Sequence, residues 1–208
     1  VMTTGEGGIV VTNNSKLAKQ MIFLRGHAMS PETRFWHTDI GYNYRLSNLL
    51  CAIGVAQLER FPKLLAGRNR VIATYRKNLN GCCGVRINPY FSHVEASPWL
   101  ACVWLPPDQA SKRDKICEEL ESRGIETRPF FYPVHTMPPY KKYRMIANPK
   151  GLRTDGIAQR GFNIPTSSDL TNGELKWVSM NVQEVLLKYC SGKTVDKAVK
   201  QNGVNGYH

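Results

Sequence analysis

Gly41-Tyr42-Asn43-Tyr44-Arg45-Leu46-Ser47 is the stretch of this sequence that decides the fold. Serine is a favoured helix N-cap, and the apolar spacing after Ser47 predicts a helix over 48–61. Two tyrosines, an amide and a guanidinium therefore stand just ahead of a helix start. Free backbone N–H groups and the helix dipole favour an anionic ligand at such a position. Taken alone, an ordinary turn before a core helix explains the run better, so the rest of the chain has to decide.

The composition is that of a globular protein. The chain has 208 residues, of which 42% are hydrophobic and 21% charged, enough for one large domain or two small ones. No apolar run is long enough to span a membrane, and the first residues have neither a basic leader nor an apolar signal core. Six cysteines without a C-x-x-C pair indicate reduced, buried thiols, and we expect a cytoplasmic protein without a metal site.

The formal net charge of +12 is compatible with nucleic acid, a membrane surface or phosphorylated small molecules as partners. The lysines and arginines are scattered, however, without a run of like charges or a basic stripe interleaved with aromatic residues. The hypothesis of a nucleic-acid binder therefore rests on net charge alone, and we expect neither nucleic acid nor membrane as a partner.

Elements of the first 80 residues are predicted from apolar spacing and from caps. A short buried strand is expected over 9–12, and Ser15 is expected to cap a helix that stops near Gly26. The polar and aromatic segment 26–45 is longer than a connector needs, which is typical of functional loops. Pro62 should end or kink the helix that begins after Ser47, and a further helix is predicted over 63–80.

The second part of the chain alternates strand and helix, which indicates an α/β or α+β fold. Segment 81–98 is punctuated like a boundary. Strands are expected over 99–105 and 125–132, with a helix over 111–123 between them. Ser111 should cap this helix, with Asp114 completing a capping box. A last helix is expected behind the T-x-x-E box of Thr171 and Glu174, followed by a loose tail over 192–208.

A second motif with chemical content is Arg128-Pro129-Phe130-Phe131-Tyr132-Pro133-Val134-His135. An arginine fork suits a phosphate or carboxylate, aromatic rings suit a base or sugar face, and histidine can donate to a diphosphate. A strand with aromatic residues in the core and Arg and His at its rim is about as good an explanation. The glycine-rich run over 5–8 matches neither a phosphate loop nor a dinucleotide fingerprint.

In their order along the chain, the motifs together resemble the DegT/DnrJ/EryC1/StrS family of sugar aminotransferases. The resemblance extends to about residue 190 and rests on segments 3–12, 41–47, 52–59, 132–135 and 163–165. Within that family, the run Pro31 to His37 ahead of Gly41, and the run Arg128 to Tyr140, look most like the subgroup of GDP-perosamine synthases.

The resemblance implies the C-terminal portion of a fold-type-I enzyme that depends on pyridoxal 5'-phosphate. Residues 1–80 would be the end of the large cofactor-binding domain and the long interdomain helix, residues 81–191 the small α+β domain, and residues 192–208 a tail. Such enzymes are usually homodimers with active sites at the subunit interface. Asn43 would then reach the cofactor phosphate of the neighbouring subunit, and substrate-binding residues would be Trp36, Tyr44, Arg45, Arg128, His135 and Tyr140.

The implied reaction moves an amino group from glutamate to C4 of a 4-keto-6-deoxy sugar nucleotide, with GDP-4-keto-6-deoxymannose as the expected substrate and the cofactor as electron sink. In the family, the Schiff-base lysine immediately precedes the segment that matches Val1 to Thr4. We therefore expect no catalytic lysine within this sequence, and no transamination without the other half of the fold. Two alternatives stay open: a sugar 3-dehydratase with histidine at the lysine position, and a non-catalytic module that keeps dimer contacts or nucleotide-sugar binding.

Overall fold

The computed structural model describes residues 1–90, 93–143 and 152–190. The chain divides into two compact units, one formed by Met2–Pro62 and the other by Val1 with the chain from Lys63 onward. The predicted division at residue 80 refers to the domains of a whole aminotransferase and stays a prediction. The predicted tail over 192–208 lies outside the described residues.

The first unit holds two helices joined by the long loop that the sequence predicts. Helix α1 is Ser15–Arg25 and helix α2 is Asn48–Glu59. The predicted cap of α2 is confirmed, because the Ser47 hydroxyl accepts a hydrogen bond from the Leu50 amide at 3.4 Å. The predicted cap of α1 is wrong by one residue. The side chain of Asn14 accepts from the Leu17 amide at 3.0 Å, because its own backbone is extended while that of Ser15 is already helical.

The predicted buried strand over 9–12 is not formed. Ile9, Val10 and Val11 are largely exposed, and none of the described segments pairs with them. A strand requires a neighbour for its backbone N–H and C=O groups, and apolar β-branched residues do not supply one by themselves. Helix α2 is similarly exposed: it is apolar in sequence, yet none of its residues is buried.

Helix α3, Phe61–Leu79, carries the side chains around which the second unit is built. Pro62 occupies its first turn, where the missing N–H costs nothing, so the proline separates α2 from α3 as predicted. One face of α3 buries Val71, Ile72, Tyr75 and Leu79. The Tyr75 hydroxyl donates to the carbonyl of Pro165 at 2.9 Å, and burial raises the pKa of this phenol.

A four-stranded antiparallel sheet packs against α3 in the core of the second unit. Its strands are β1 (Arg86–Ile87), β2 (Ala101–Trp104), β3 (Arg128–Pro129) and β4 (Gly161–Ile164), in the order β1-β2-β4-β3. All four residues of β4 are buried, while β2 alternates buried and half-buried residues, as a strand with one face on the core should.

Helices α4 (Arg113–Ser122), α5 (Arg153–Arg160) and α6 (Asn172–Cys190) complete the second unit. The predicted capping box of α6 is confirmed: the Thr171 hydroxyl accepts from the Glu174 amide at 3.2 Å, and the Glu174 carboxylate accepts from the Thr171 amide at 2.7 Å. The core joins residues of α3, the sheet, α4 and α6, among them Tyr75, Phe162 and Leu175.

Two predictions for this unit are wrong. Ser111 does not cap α4, because a 3₁₀ turn over Pro107–Lys112 precedes the helix and Ser111 is already inside it. Asp114 instead pairs with Arg113 at 2.8 Å. The strand expected over 125–132 shrinks to β3, at the edge of the sheet, where Pro129 has no N–H to offer a further neighbour.

The six cysteines are free thiols, as expected, but only Cys190 is fully buried and Cys51 is exposed. Burial raises the pKa of the Cys82 thiol to about 11, and the neighbouring Cys83 contributes to the shift. Within the part of the chain that the structure describes, no helix is both long enough and apolar enough to cross a membrane.

Candidate functional site

The segment around Asn43 is fixed by backbone pairing with the end of α1. The amide of Tyr42 donates to the carbonyl of Leu24 at 2.8 Å, and the carbonyl of Tyr42 accepts from the amide of His27 at 3.0 Å. The amide of Tyr44 donates to the carbonyl of Arg25 at 3.2 Å, and Gly26 and Asn43 form an antiparallel bridge. Backbone hydrogen bonds on both sides of Asn43 therefore hold it in one place before α2 begins.

Glycine is required at position 41 because the backbone of His27 and Ala28 lies too close for any side chain. A Cβ atom at position 41 would lie 2.2 Å from the amide nitrogen of Ala28 and 2.3 Å from the carbonyl carbon of His27. His27 and Ala28 both have positive φ, and Ala28 is fully buried beneath the loop. The His37 ring donates from Nδ1 to the carbonyl of His27 at 2.8 Å, which ties the far side of the loop to the same turn.

The paired segment presents different chemistry on its two sides. The rings of Tyr42 and Tyr44 stack with centroids 4.9 Å apart and an angle of 10° between their planes. Side chains two residues apart on an extended backbone share a side, so the carboxamide of Asn43 lies on the side opposite the rings. Asn43 is exposed, and so are Arg45 and Trp36. The first unit thus offers an amide, a guanidinium and aromatic faces on a fixed backbone.

The second unit holds the other predicted site residues. Arg128 begins the edge strand β3, and both its Nε and Nη2 donate to one carboxylate oxygen of Glu126, at 3.1 and 2.8 Å. Both side chains are more than 70% exposed, so the pair contributes little to stability and its guanidinium is accessible to an anion. The ring of Phe130 packs directly on Gly161, where no Cβ could be accommodated.

His135 forms a side-chain hydrogen bond with a partner that sequence reasoning missed. It lies in a 3₁₀ turn, Val134–Thr136, and its Nε2 donates to the Asp155 carboxylate at 2.8 Å. Both side chains are about one-quarter exposed. Tyr140 lies in the next 3₁₀ turn, Pro138–Tyr143, and is half exposed. No local sequence signal marks Asp155, which is 20 residues from the histidine.

The structure therefore groups the predicted residues by unit: Trp36, Asn43, Tyr44 and Arg45 in the first, and Arg128, His135 and Tyr140 in the second. Among the described residues, no group of three or more His, Cys, Asp or Glu side chains could hold a metal ion. What both units offer is hydrogen-bond donors, aromatic faces and arginines, which is the set that phosphate and sugar groups bind.

Comparison with known proteins shows similarity over most of the chain. The model of the DegT/DnrJ/EryC1/StrS aminotransferase family matches residues 1–183. A GDP-perosamine synthase of Caulobacter vibrioides is 36% identical over 191 residues, which are 90% of this chain and 50% of that protein. A GDP-perosamine synthase of Escherichia coli O157:H7 is 34% identical over 184 residues, covering 88% of this chain and 48% of that protein. The chain spans about half the length of these relatives.

Solved structures agree on the fold. The sugar aminotransferase CalS13 from Micromonospora echinospora matches with a TM-score of 0.76 and 23% identity, over 88% of this chain and 48% of that one. Helicobacter pylori PseC, an aminotransferase involved in the biosynthesis of pseudoaminic acid, matches with a TM-score of 0.73 and 23% identity, over 86% and 48%. The described fold is therefore that of part of a sugar aminotransferase.

Proposed function

We propose that the complete protein is a sugar-nucleotide aminotransferase, because this chain belongs to the DegT/DnrJ/EryC1/StrS aminotransferase family. Its reaction moves an amino group from glutamate to C4 of a 4-keto-6-deoxy sugar nucleotide. Three relatives between 33% and 36% identical are GDP-perosamine synthases, which favours GDP-4-keto-6-deoxymannose as the substrate.

The observation that carries the proposal is Asn43, whose backbone is held by hydrogen bonds and whose carboxamide is exposed. A phosphate binds N–H donors, and it binds them best when their backbone is already immobile. Asn43 meets both conditions, since the Gly26 bridge and the three backbone hydrogen bonds of Tyr42 and Tyr44 hold its backbone while its side chain is exposed. This segment of the first unit thus fits pyridoxal 5'-phosphate, whose phosphate group Asn43 would hold. When bound, the cofactor supplies the electron sink that amino transfer needs.

The sugar nucleotide is assigned to the remaining site residues by their chemistry. The guanidinium of Arg128, freed from Glu126, suits the diphosphate, and Arg45 offers a second guanidinium. Exposed rings of Trp36, Tyr44 and Tyr140 suit the faces of a base or a sugar, which aromatic side chains cover at low entropic cost.

The assembly is part of the same proposal. We infer a homodimer in which Asn43 of one subunit completes the cofactor site of its neighbour, with residues 1–80 belonging to the large domain and the interdomain helix and residues 81–191 to the small domain. Exposed apolar residues of the first unit, such as Ile9, Leu49 and Leu58, support burial against further protein.

Asn43→Ala in the complete protein tests the cofactor assignment. We expect the purified variant to lose cofactor absorbance on dialysis about tenfold faster than the parent, which is the effect of one charge-assisted hydrogen bond. The melting temperature of the cofactor-free protein should be unchanged, since the side chain of Asn43 is exposed.

Asn13→Ala is the matched control, because Asn13 is an exposed asparagine of the same unit. It should retain the cofactor like the parent. If Asn43→Ala retains cofactor equally well, or if it loses cofactor only because the apo protein is destabilised, the assignment of Asn43 to the phosphate is wrong.

A further inference from the structure

We propose that Asp155 is a positioning residue for His135: it holds the imidazole so that Nδ1 accepts a hydrogen bond from a hydroxyl of the sugar in the nucleotide-sugar substrate. The identity of the ligand rests on the proposed function, whereas the pairing of the two side chains does not. Their contact, at 2.8 Å between His135 Nε2 and Asp155 Oδ1, is present in the structure.

The backbone of His135 is immobilised on both sides. The amide and the hydroxyl of Thr136 both donate to the carbonyl of Pro133, at 2.9 and 2.7 Å, and the amide of Met137 donates to the carbonyl of Val134 at 3.1 Å. These bonds close a single 3₁₀ turn around the histidine. The ring therefore has few ways to move except rotation about its own side-chain bonds, and the contact with Asp155 fixes that rotation.

Asp155 is in turn held by the core of the second unit. It lies in the first turn of α5, where its amide donates to the carbonyl of Leu152 at 3.0 Å. At the other end of α5, the carbonyl of Ala158 accepts from the guanidinium of Arg113 at 2.9 Å. Arg160, the last residue of α5, exchanges two hydrogen bonds with the backbone of Leu105, and β4 follows directly. The carboxylate is thus placed by α4 and by the sheet.

The pairing with Asp155 determines which ring nitrogen of His135 is left for a ligand, and whether that nitrogen donates or accepts a hydrogen bond. A carboxylate only accepts, so Nε2 carries the proton, and in the neutral ring Nδ1 is then a lone-pair acceptor. Such an atom accepts from a hydroxyl and cannot donate to a phosphate oxygen. A hexose supplies hydroxyls, while the guanidinium of Arg128 is available for the diphosphate. Asp155 acts on the substrate only through the histidine.

Isothermal titration of the complete protein with GDP-mannose and with GDP tests this assignment at mildly alkaline pH. Asp155→Ala and His135→Ala should each weaken GDP-mannose binding by about tenfold, the effect of one hydrogen bond, and leave GDP binding unchanged. The double variant should be no weaker than either single variant. Asp155→Asn should restore most of the affinity, because its carboxamide oxygen still accepts from Nε2.

Asp169→Ala is the matched control, because Asp169 is an exposed aspartate of the same unit whose carboxylate accepts from the neighbouring Ser168 hydroxyl at 3.4 Å. It should bind both ligands like the parent. Additive losses in the double variant, or an equal loss for GDP and GDP-mannose, would overturn the proposal, as would unchanged binding by Asp155→Ala.

The tautomer of His135 separates this proposal from the proposed function. In ¹⁵N spectra of histidine-labelled protein, with His135→Gln as the assignment reference, the parent should show Nε2–H and Asp155→Ala should show a mixture. If the parent binds neither nucleotide, the proposed substrate class is wrong and the hydroxyl assignment is wrong with it. The spectra then still decide whether Asp155 orients the ring, and a parent ring with Nδ1–H would refute that.

Discussion

Gly41→Ala should disturb the site in the first unit more than alanine at the other glycines of that unit. The Cβ would lie 2.2 Å from the amide nitrogen of Ala28 and 2.3 Å from the carbonyl carbon of His27, far inside contact distance. Both obstacles are backbone atoms, so no side chain can rotate away. Gly41 does not have positive φ, so the penalty comes from the contact rather than from backbone strain.

The size of the effect follows from that contact. Overpacking by one methyl group costs about 1–3 kcal/mol, and each kcal/mol lowers the melting temperature of a chain of this size by about 2–4 °C. We therefore expect a melting temperature about 2–12 °C lower. Relief of the clash separates the strand-like segment of Tyr42 to Tyr44 from the end of α1, so Asn43 should also lose its fixed position and the cofactor should dissociate faster.

Gly8→Ala is the matched control, because a Cβ at position 8 meets no atom within 4 Å. The assay compares melting curves and cofactor retention of the two variants with those of the parent protein. If Gly41→Ala melts and retains cofactor like Gly8→Ala, the close approach of Gly41 to Ala28 does not hold this loop, and the explanation of the glycine fails.

Three further predictions concern the second unit and the thiols. Hydrogen bonding to Lys188 lowers the pKa of Glu119 to about 2, so its stabilisation is complete above about pH 4.5 and is lost as the pH falls through about 2; Glu119→Gln should destabilise the protein to urea at pH 7 and not below pH 2. Thr171→Ala removes the cap of α6 and should cost about 0.5–2 kcal/mol in the same urea titration. Iodoacetamide at neutral pH should label Cys82, whose pKa is about 11, well after free glutathione, as peptide mass spectrometry would show. Equal destabilisation by Glu119→Gln at pH 7 and below pH 2 would contradict the role of the hydrogen bond to Lys188. No loss of stability with Thr171→Ala would contradict the cap, and fast labelling of Cys82 would contradict its raised pKa.

Local signals in the sequence predicted helices α1, α2, α3, α4 and α6, but they did not predict α5. Ser47 and the pair Thr171 and Glu174 cap the helices that they were predicted to cap, because a cap depends only on residues three positions apart. Gly124, in the left-handed region at φ +79°, follows α4 in the conformation that commonly ends a helix. Where a second signal competes nearby, as the 3₁₀ turn at Pro107 does for Ser111, the prediction failed.

Strands and side-chain partners could not be predicted in the same way, because they depend on distant parts of the chain. The apolar run over 9–12 has strand composition but pairs with none of the described segments, whereas β4 was not predicted and proved to be the buried centre of the sheet. Asp155 has no distinguishing neighbour in sequence, and only the placement of α5 brings it to His135. The roles expected of Asn43 and Arg128 came from the family resemblance rather than from residue spacing.

Amino transfer by the complete protein is the most direct test of the central claim. The enzyme, loaded with pyridoxal 5'-phosphate, is incubated with GDP-4-keto-6-deoxymannose and ¹⁵N-glutamate, and the sugar nucleotides are analysed by mass spectrometry and NMR. The family assignment and the site around Asn43 predict a product that carries ¹⁵N at C4, with stoichiometric 2-oxoglutarate. A cofactor-loaded enzyme that leaves this substrate unchanged, or that returns a sugar which has lost a hydroxyl and gained no nitrogen, would contradict the proposed function.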